Sequence, residues 1–271
     1  MMNTSPILTL KNIDMVFGGV QALKNVNIDV MDGEILGIIG PNGAGKTTVF
    51  NVITGSITPT NGQVLYKGEN IVGKRVDQIC HLGISRTFQN IRLFPQMSVF
   101  ENVALARHSI PTHSVLESFL PMKHAKREKI RLNEEVFEFL KMVNLDHLAD
   151  QAAATLPYGL QRRLEIARAM AADPKVLLLD EPAAGMNADE CQDLIQMIRS
   201  IHEKLGYTIL LIEHHMNVVM ELCRNHRIVV LNLGEILAEG SPAEIQTNPD
   251  VIDAYLGSKR IKHHEIDTAI S

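Results

Sequence analysis

The sequence predicts an α/β fold in which a largely parallel sheet carries an antiparallel β portion and an inserted helical block. Three observations lead there. The apolar runs "EILGIIG", "KVLLLDEP" and "YTILLIEHH" have the continuous hydrophobicity of strands buried on both faces. The first of them runs directly into a glycine-rich loop, "GPNGAGKT", with helical spacing behind it. From about Ser98 to Leu148 the pattern changes to apolar residues spaced by three and four between charges.

In chain order, "ILTLKNIDMVF" reads as a strand, and Val26, Ile28 and Val30 alternate with Asn27 and Asp29 in a second. A turn at Asp32-Gly33 leads into the first buried run. A helix is expected from Lys46 to about Thr54, stopped by Gly55, and "TPTNGQVLYKGENI" punctuates a turn into a further strand. "VFENVALARH" and "REKIRLNEEVFEFLKMVNL" predict helices on either side of a Pro-interrupted stretch, "SIPTHSVLESFLPMK". Leu164, Ala167 and Met170 mark the buried face of a helix starting at about Leu160. Leu194, Ile198, Ile201 and Leu205 stripe another from about Ala188, which Gly206 ends. "RIVVLNLGEILAEG" is a hairpin turning near Gly234. The expected organisation is one domain over 1–257, its helical subdomain at about 98–172, and a loose polar tail over 258–271.

At 45% hydrophobic and 21% charged, the chain has the composition of a globular protein. A formal net charge of -5, from 26 basic and 31 acidic residues, argues against a nucleic-acid footprint. Cys80, Cys191 and Cys223 are too far apart for a metal knuckle or redox pair and read as reduced structural thiols. "MMNTSPILTL" lacks the pattern of a signal peptide, and no run approaches the roughly 18 apolar residues of a spanning helix. The chain is therefore expected in the cytosol unless a partner holds it at a membrane.

Gly40 and Gly45 with Lys46 and Thr47 supply phosphate chemistry. Glycines let backbone N–H groups curl around phosphate oxygens, and the following helix adds the positive end of its dipole. Lys46 would reach the β- and γ-phosphates, and Thr47 would offer a hydroxyl to Mg²⁺. In "VLLLDE", a buried strand delivers Asp180 to its C-terminal end, where it would help hold Mg²⁺. Glu181 next to it would orient or deprotonate an attacking water. The plain alternatives are a Gly-rich strand-to-helix turn and two acids capping a strand before Pro182.

With those residues in order, the sequence resembles the ATP-binding cassette of an ABC transporter, a P-loop NTPase with a RecA-like core. The resemblance covers nearly the whole chain, with a Walker A loop at Gly40 to Thr47 and a Walker B strand at Val176 to Asp180. It implies ATP and Mg²⁺ as ligands. It places nucleotide contacts at Gly40, Pro41, Asn42, Gly43, Ala44, Gly45, Lys46, Thr47 and Thr48. Gln89 in "SRTFQN" falls at the hinge glutamine that senses the metal and the attacking water, so the metal set is Thr47, Gln89 and Asp180. His214 falls at the switch histidine that contacts the γ-phosphate, and Phe17 where an aromatic ring stacks on adenine. The catalytic set is thus Glu181, His214, Gln89 and Lys46. Taken singly, Gln89 and His214 would be surface residues and Phe17 core. His215 follows the switch histidine where relatives commonly have Asp, and a one-residue slip of the strand would exchange the two histidines.

"RTFQNIRLFPQMSVFENV", "EPAAGMN" and "NPDVIDAYLG" are similar to cassettes of branched-chain amino-acid importers, with urea and amide importers as the nearest rival. That similarity implies a second, related cassette forming a heterodimer, two permease subunits, an extracellular or periplasmic amino-acid-binding protein, and residence on the cytoplasmic face of the membrane. A soluble ABC ATPase acting on ribosomes or DNA would carry two cassettes or long coiled coils. A non-catalytic nucleotide-binding module would be expected to lack Glu181 or His214. "LPYGLQ" lies at the family signature, usually Leu-Ser-Gly-Gly-Gln, and keeps only Leu156 and Gly159 of its five positions. Tyr158 is common in the branched-chain cassettes. Pro157 removes a hydroxyl and a backbone N–H that would face a partner's ATP, leaving the Gly159 N–H and the helix N-terminus. An asymmetric pair of ATP sites is the expected consequence.

Overall fold

A computed structural model of the chain describes residues 5–108 and 122–256, the side chains of 108 and 122–129 excepted. The tail expected over 258–271 and most of the Pro-interrupted stretch lie outside the described residues. Two compact units form, one from Met1–Val76 and Thr208–Ser271, the other from Asp77–Tyr207.

In the first unit, β1 (Leu8–Phe17), β2 (Val20–Val30), β4 (Asn61–Tyr66) and β5 (Glu69–Asn70) form an antiparallel sheet in the order β2-β1-β4-β5. Val26, Ile28 and Val30 are buried while Asn27 and Asp29 are exposed, the alternation of a sheet with one wet face. A second strand group centres on β3 (Ile35–Ile39), which pairs in parallel with β8 (Thr208–Ile212) and β9 (Ile228–Asn232); β10 (Glu235–Gly240) returns antiparallel to β9. All five residues of β3 and of β8 are buried, as continuous apolar runs require. Arg227 fastens two strands and the turn leading into β3. Its Nε donates to Glu34 Oε1 at 2.6 Å, and its other nitrogens reach the Asp29 carbonyl and the Glu239 carboxylate. The helices are α1 (Lys46–Ile53), α7 (Met216–Leu222), α8 (Pro242–Thr247) and a last one over 249–256.

In the second unit, α2 (Val76–Leu82, beginning one residue early) leads into β6 (Ile84–Arg86), which pairs in parallel with β7 (Val176–Asp180). Between them lie α3 (Val99–His108), α4 (Met122–Met142) and α5 (Tyr158–Met170), and α6 (Ala188–Leu205) follows β7. The end of α6 matches the sequence signal, Gly206 closing the helix in the left-handed conformation at φ 64°, and its start is set by a reciprocal capping box between Asn187 and Glu190 that the sequence periodicity does not single out. Within the stripe, Leu194, Ile198 and Ile201 are buried while Leu205, the last residue of the helix, is only half-buried. Fully buried Asn102 on α3 receives the Phe94 N–H and donates to the Phe94, Met97 and Ser98 carbonyls, which fixes the loop entering the helical block.

The thiols differ in environment. Cys223 is fully buried, and burial pushes its pKa up to about 12 from an ordinary 9.0, whereas Cys80 and Cys191 are half-buried. The folded state therefore favours the neutral thiol at Cys223. That contribution is complete below the ordinary thiol pKa and is lost as pH rises from there through about 12. An alkylating reagent at mildly alkaline pH should label Cys80 and Cys191 in the native protein and Cys223 only after denaturation; mass spectrometry of the labelled peptides checks this.

Candidate nucleotide-binding and hydrolysis site

The glycine-rich loop spans the six residues between β3 and α1, and its shape is set by neighbours as much as by its own torsions. Gly40 has φ 151° and lies so close to β9 that a β-carbon would stand 2.1 Å from the Leu231 carbonyl oxygen. Gly45, the residue before α1, has φ 103°, and a β-carbon there would meet Leu23 at 2.7 Å and the Ala22 carbonyl at 2.8 Å. Gly43, at φ 80°, has open space around it. The hairpin turn adds a strap: the Gly234 N–H donates to the Ala44 carbonyl at 3.1 Å, and the Gly234 carbonyl accepts from Lys24 N–H at 2.9 Å. The loop is thus held open by packing against β2, β9 and the β9–β10 turn.

Ala44 and Lys46 are buried, while Asn42, Gly43 and Thr47 are exposed and Pro41, Gly45 and Thr48 are intermediate. The Lys46 ammonium donates to the carbonyls of Gly40 at 2.8 Å and Pro41 at 2.9 Å, so it lies across the loop that its chain forms. No acid occupies the first turn of α1, which leaves the positive helix end open to an anion. Tyr255, on the helix over 249–256, bonds the Gly40 backbone, and burial pushes its hydroxyl up to about 12. Periodicity alone did not single out Tyr255; its quoted neighbourhood, "NPDVIDAYLG", was the available signal.

Phe17 ends β1 with its ring 46% exposed beside the Gly18-Gly19 turn, so it is not a core residue. The β3–β8 register runs Ile35 with Ile209 through Ile38 with Ile212, so Glu213, His214 and His215 follow the strand in fixed order. Glu213 is almost fully buried. Its Oε2 accepts from the N–H groups of His214 at 2.9 Å and His215 at 3.2 Å, and faces His215 Nδ1 at 3.3 Å. Glu213 thereby holds the turn that presents both exposed imidazoles, a role the apolar run had hidden.

In the second unit, β6 and β7 bring a set of polar groups together. Thr87, fully buried, donates its N–H to the Leu178 carbonyl at 2.9 Å and accepts the Asp180 N–H on its hydroxyl at 3.2 Å. The Asp180 carboxylate is met by Arg86 at 2.6 Å in a buried pair. Glu181 has φ 49°, a left-handed conformation that non-glycine residues adopt at a cost. Its Oε2 accepts from Gln89 Nε2 at 3.0 Å, so the expected hinge glutamine and the expected base are direct partners. Because the amide nitrogen serves Glu181, the Gln89 amide oxygen remains as the acceptor of that side chain.

At "LPYGLQ" helix α5 begins at Tyr158, two residues before the expected start. Pro157 is the residue ahead of it and provides no side-chain cap. The Leu160 and Gln161 N–H groups both turn back to the Pro157 carbonyl at 3.0 Å. The first two N–H groups, of Tyr158 and Gly159, lack intrahelical acceptors by position. A β-carbon on Gly159 would lie 3.4 Å from Glu190, and the Tyr158 ring is 46% exposed.

In the second unit Gln89 and Asp180 offer an amide and a carboxylate oxygen, and in the first Thr47 offers an exposed hydroxyl, each a hard donor by type. No cluster of three or more His, Cys, Asp or Glu residues able to cage a metal occurs among the described residues.

Comparison with known proteins agrees with this chemistry. The ABC transporter family model matches residues 23–184, and a model for the branched-chain amino acid ATP-binding cassette transporter matches residues 235–260. The high-affinity branched-chain amino acid transport ATP-binding protein BraF of Pseudomonas aeruginosa is 44% identical over 93% of this chain and 98% of its own length. LivG of Escherichia coli, of the same description, is 42% identical over 94% and 99%. Among solved structures, an ATP-binding cassette of an ABC transporter in its ADP conformation superposes with a TM-score of 0.80 at 33% identity, covering 94% of this chain and 100% of that one. A dimeric, post-hydrolysis cassette bound to ADP and Pi gives a TM-score of 0.72 at 28% identity, covering 87% and 98%.

The two kinds of loop glycine separate packing from torsion. Gly43→Ala should cost about 1 kcal/mol, the strain of a left-handed alanine. Gly45→Ala adds collision with β2 and should cost roughly 3 kcal/mol or more. Denaturant unfolding of the two variants measures the difference.

Proposed function

The chain belongs to the ABC transporter ATP-binding cassette family and is an ATPase coupled to transport, and we propose that it energises an importer of branched-chain amino acids. The observation that carries the substrate class is the joint similarity of the two ends: both branched-chain relatives match over nearly the full length, and the C-terminal segment from residue 235 matches its own branched-chain model. No helix among the described residues is long and apolar enough to cross a membrane. In an importer of this family, permease subunits provide the path. In this reading the chain sits on the cytoplasmic face of the membrane, paired with a second, related cassette. An amino-acid-binding protein outside delivers cargo to the permeases.

The residues divide the work by chemistry. The N–H groups of the loop from Gly40 to Thr48 and the start of α1 receive phosphate oxygens, while Phe17 stacks on the base. Lys46 exchanges its two loop carbonyls for the β- and γ-phosphates, a replacement of neutral acceptors by anionic ones. Thr47, Gln89 and Asp180 are the proposed donors to Mg²⁺, which when bound neutralises phosphate charge. Arg86 meets the Asp180 carboxylate in a buried pair and fixes its place at the end of β7. Glu181 accepts a proton from water as the water oxygen bonds to the γ-phosphorus and the bond to the ADP oxygen breaks. Gln89 orients that carboxylate through its amide N–H. His214, second residue past β8, donates to the γ-phosphate, and Glu213 holds the turn. Tyr158 and Gly159 face a partner's ATP with two N–H groups and a ring in place of the usual Ser hydroxyl. The composite site using this signature is therefore the weaker of the pair.

Glu181→Gln should lower ATP turnover by at least 100-fold while ATP-driven association of the cassettes persists; normal turnover would remove Glu181 as the base. Lys46→Ala should abolish tight ATP binding in equilibrium titration. Neutralising the Walker B glutamate of one cassette at a time should leave unequal residual rates, with the slower site the one that uses Leu156 to Leu160. Loss of labelled leucine uptake, with urea uptake intact, in a strain lacking the chain tests the cargo assignment.

A further inference from the structure

We propose that Arg162 is a positioning residue that ties the signature segment of this chain to its own catalytic carboxylate, so that the two ATP sites of the cassette pair communicate inside one subunit. The inference rests on the assignment of Glu181 and of residues 156–160 given above. Arg162 is 0% exposed, on a helix whose neighbouring buried positions are Leu164, Ile166 and Ala167. Burying a guanidinium is costly unless its N–H groups are partnered, and packing alone would be served as well by an aliphatic residue; both terminal nitrogens of Arg162 are partnered, while its buried Nε is not. Its partners show what it is there to hold. Nη1 donates to the Phe88 carbonyl at 2.5 Å and to Glu165 Oε2 at 2.9 Å; Nη2 donates to the Gln89 carbonyl at 2.7 Å and to the Tyr158 hydroxyl at 3.2 Å.

The turn over 88–92 is gripped through both backbone polarities. Arg162 takes its carbonyls, and Glu165, itself 1% exposed, accepts the N–H groups of Phe88 at 3.4 Å and Arg92 at 3.3 Å. The Arg92 guanidinium covers the Phe88 ring at 4.1 Å. With its backbone clamped, Gln89 projects only its side chain, and that side chain meets Glu181 at 3.0 Å. Tyr158 also stands near the chain that follows Glu181. Gly185, at φ 76°, follows shortly after Glu181, and a β-carbon there would lie 3.5 Å from the Tyr158 ring. The Tyr158 side chain in the first turn of α5 therefore lies beside the chain that follows Glu181 and reaches the turn holding Gln89 through Arg162. Ligand occupancy beside Tyr158 changes the pose of Gln89 on Glu181.

The test uses the assembled two-cassette ATPase with Arg162→Lys and Tyr158→Phe. Lysine keeps a charge facing Glu165 but lacks the planar fork that serves two carbonyls at once. Arg162→Lys should lower kcat about ten-fold with KM for ATP within about two-fold, the loss of one or two charged hydrogen bonds. In the nucleotide-free protein the same variant should speed amide hydrogen exchange at Phe88 and Arg92. Tyr158→Phe keeps the ring against Gly185 and should lower kcat about three-fold, with no further effect when added to Arg162→Lys. Parental kcat and parental exchange in Arg162→Lys would overturn the proposal, as would a fall in kcat matched by a lowered melting temperature and a raised KM. Absence of ATP hydrolysis in the parental assembly would instead refute the functional assignment, while exchange over 88–92 would still report on the clamp.

Discussion

The structure depends on two backbone approaches too close for any side chain. Gly40 lies against the Leu231 carbonyl and Gly45 against Ala22 and Leu23, so the loop between β3 and α1 is wedged between a parallel strand and the antiparallel sheet. Everything that follows in the first unit takes its position from that wedge. The buried ammonium of Lys46 lies over the loop, α1 points its positive end outward, and the Gly234 turn straps the loop through Ala44. Glycine here serves packing and phosphate access together, which is why the two glycines that bracket the loop are the crowded ones and Gly43 is not.

A second constraint is electrostatic. Arg86 with Asp180, Arg162 with Glu165 and Arg227 with Glu34 are all buried or nearly so, and each sits where strands or loops must be held at a fixed spacing. Such pairs add little net stability once desolvation is counted. Their value is geometric, because a guanidinium fork accepts only a narrow range of partner positions. In the second unit they hold the backbone around Gln89 and the end of β7, while Glu181 stands in a left-handed conformation that this surrounding structure maintains.

The elements that were legible share strong signals. β3, β7 and β8 are continuous apolar runs bounded by turn residues, and α6 carries an apolar stripe and a terminal glycine, so its extent could be read closely; its capping box came to light only in the structure. Short elements escaped notice: α2, β6, α7 and α8 have three to seven residues each, too few for a period to show. The start of α5 was placed late because Pro157 and Gly159 look like loop residues, whereas proline suits the position just ahead of a first helical turn.

Sequence alone determined the chemistry on offer, through the spacing of Gly40, Gly45, Lys46 and Thr47 and the acids at 180 and 181, while the family came from a resemblance over nearly the whole chain. These are local patterns, readable because phosphate binding needs particular atoms at short chain separations. Tertiary structure decided which groups hold those atoms in place. Arg86 on Asp180, Arg162 on the Gln89 backbone, Glu213 under the two histidines and Tyr255 on Gly40 emerge only from the folded chain. Most of these contacts join residues distant in sequence, and no periodicity or motif records a partner that packing alone supplies.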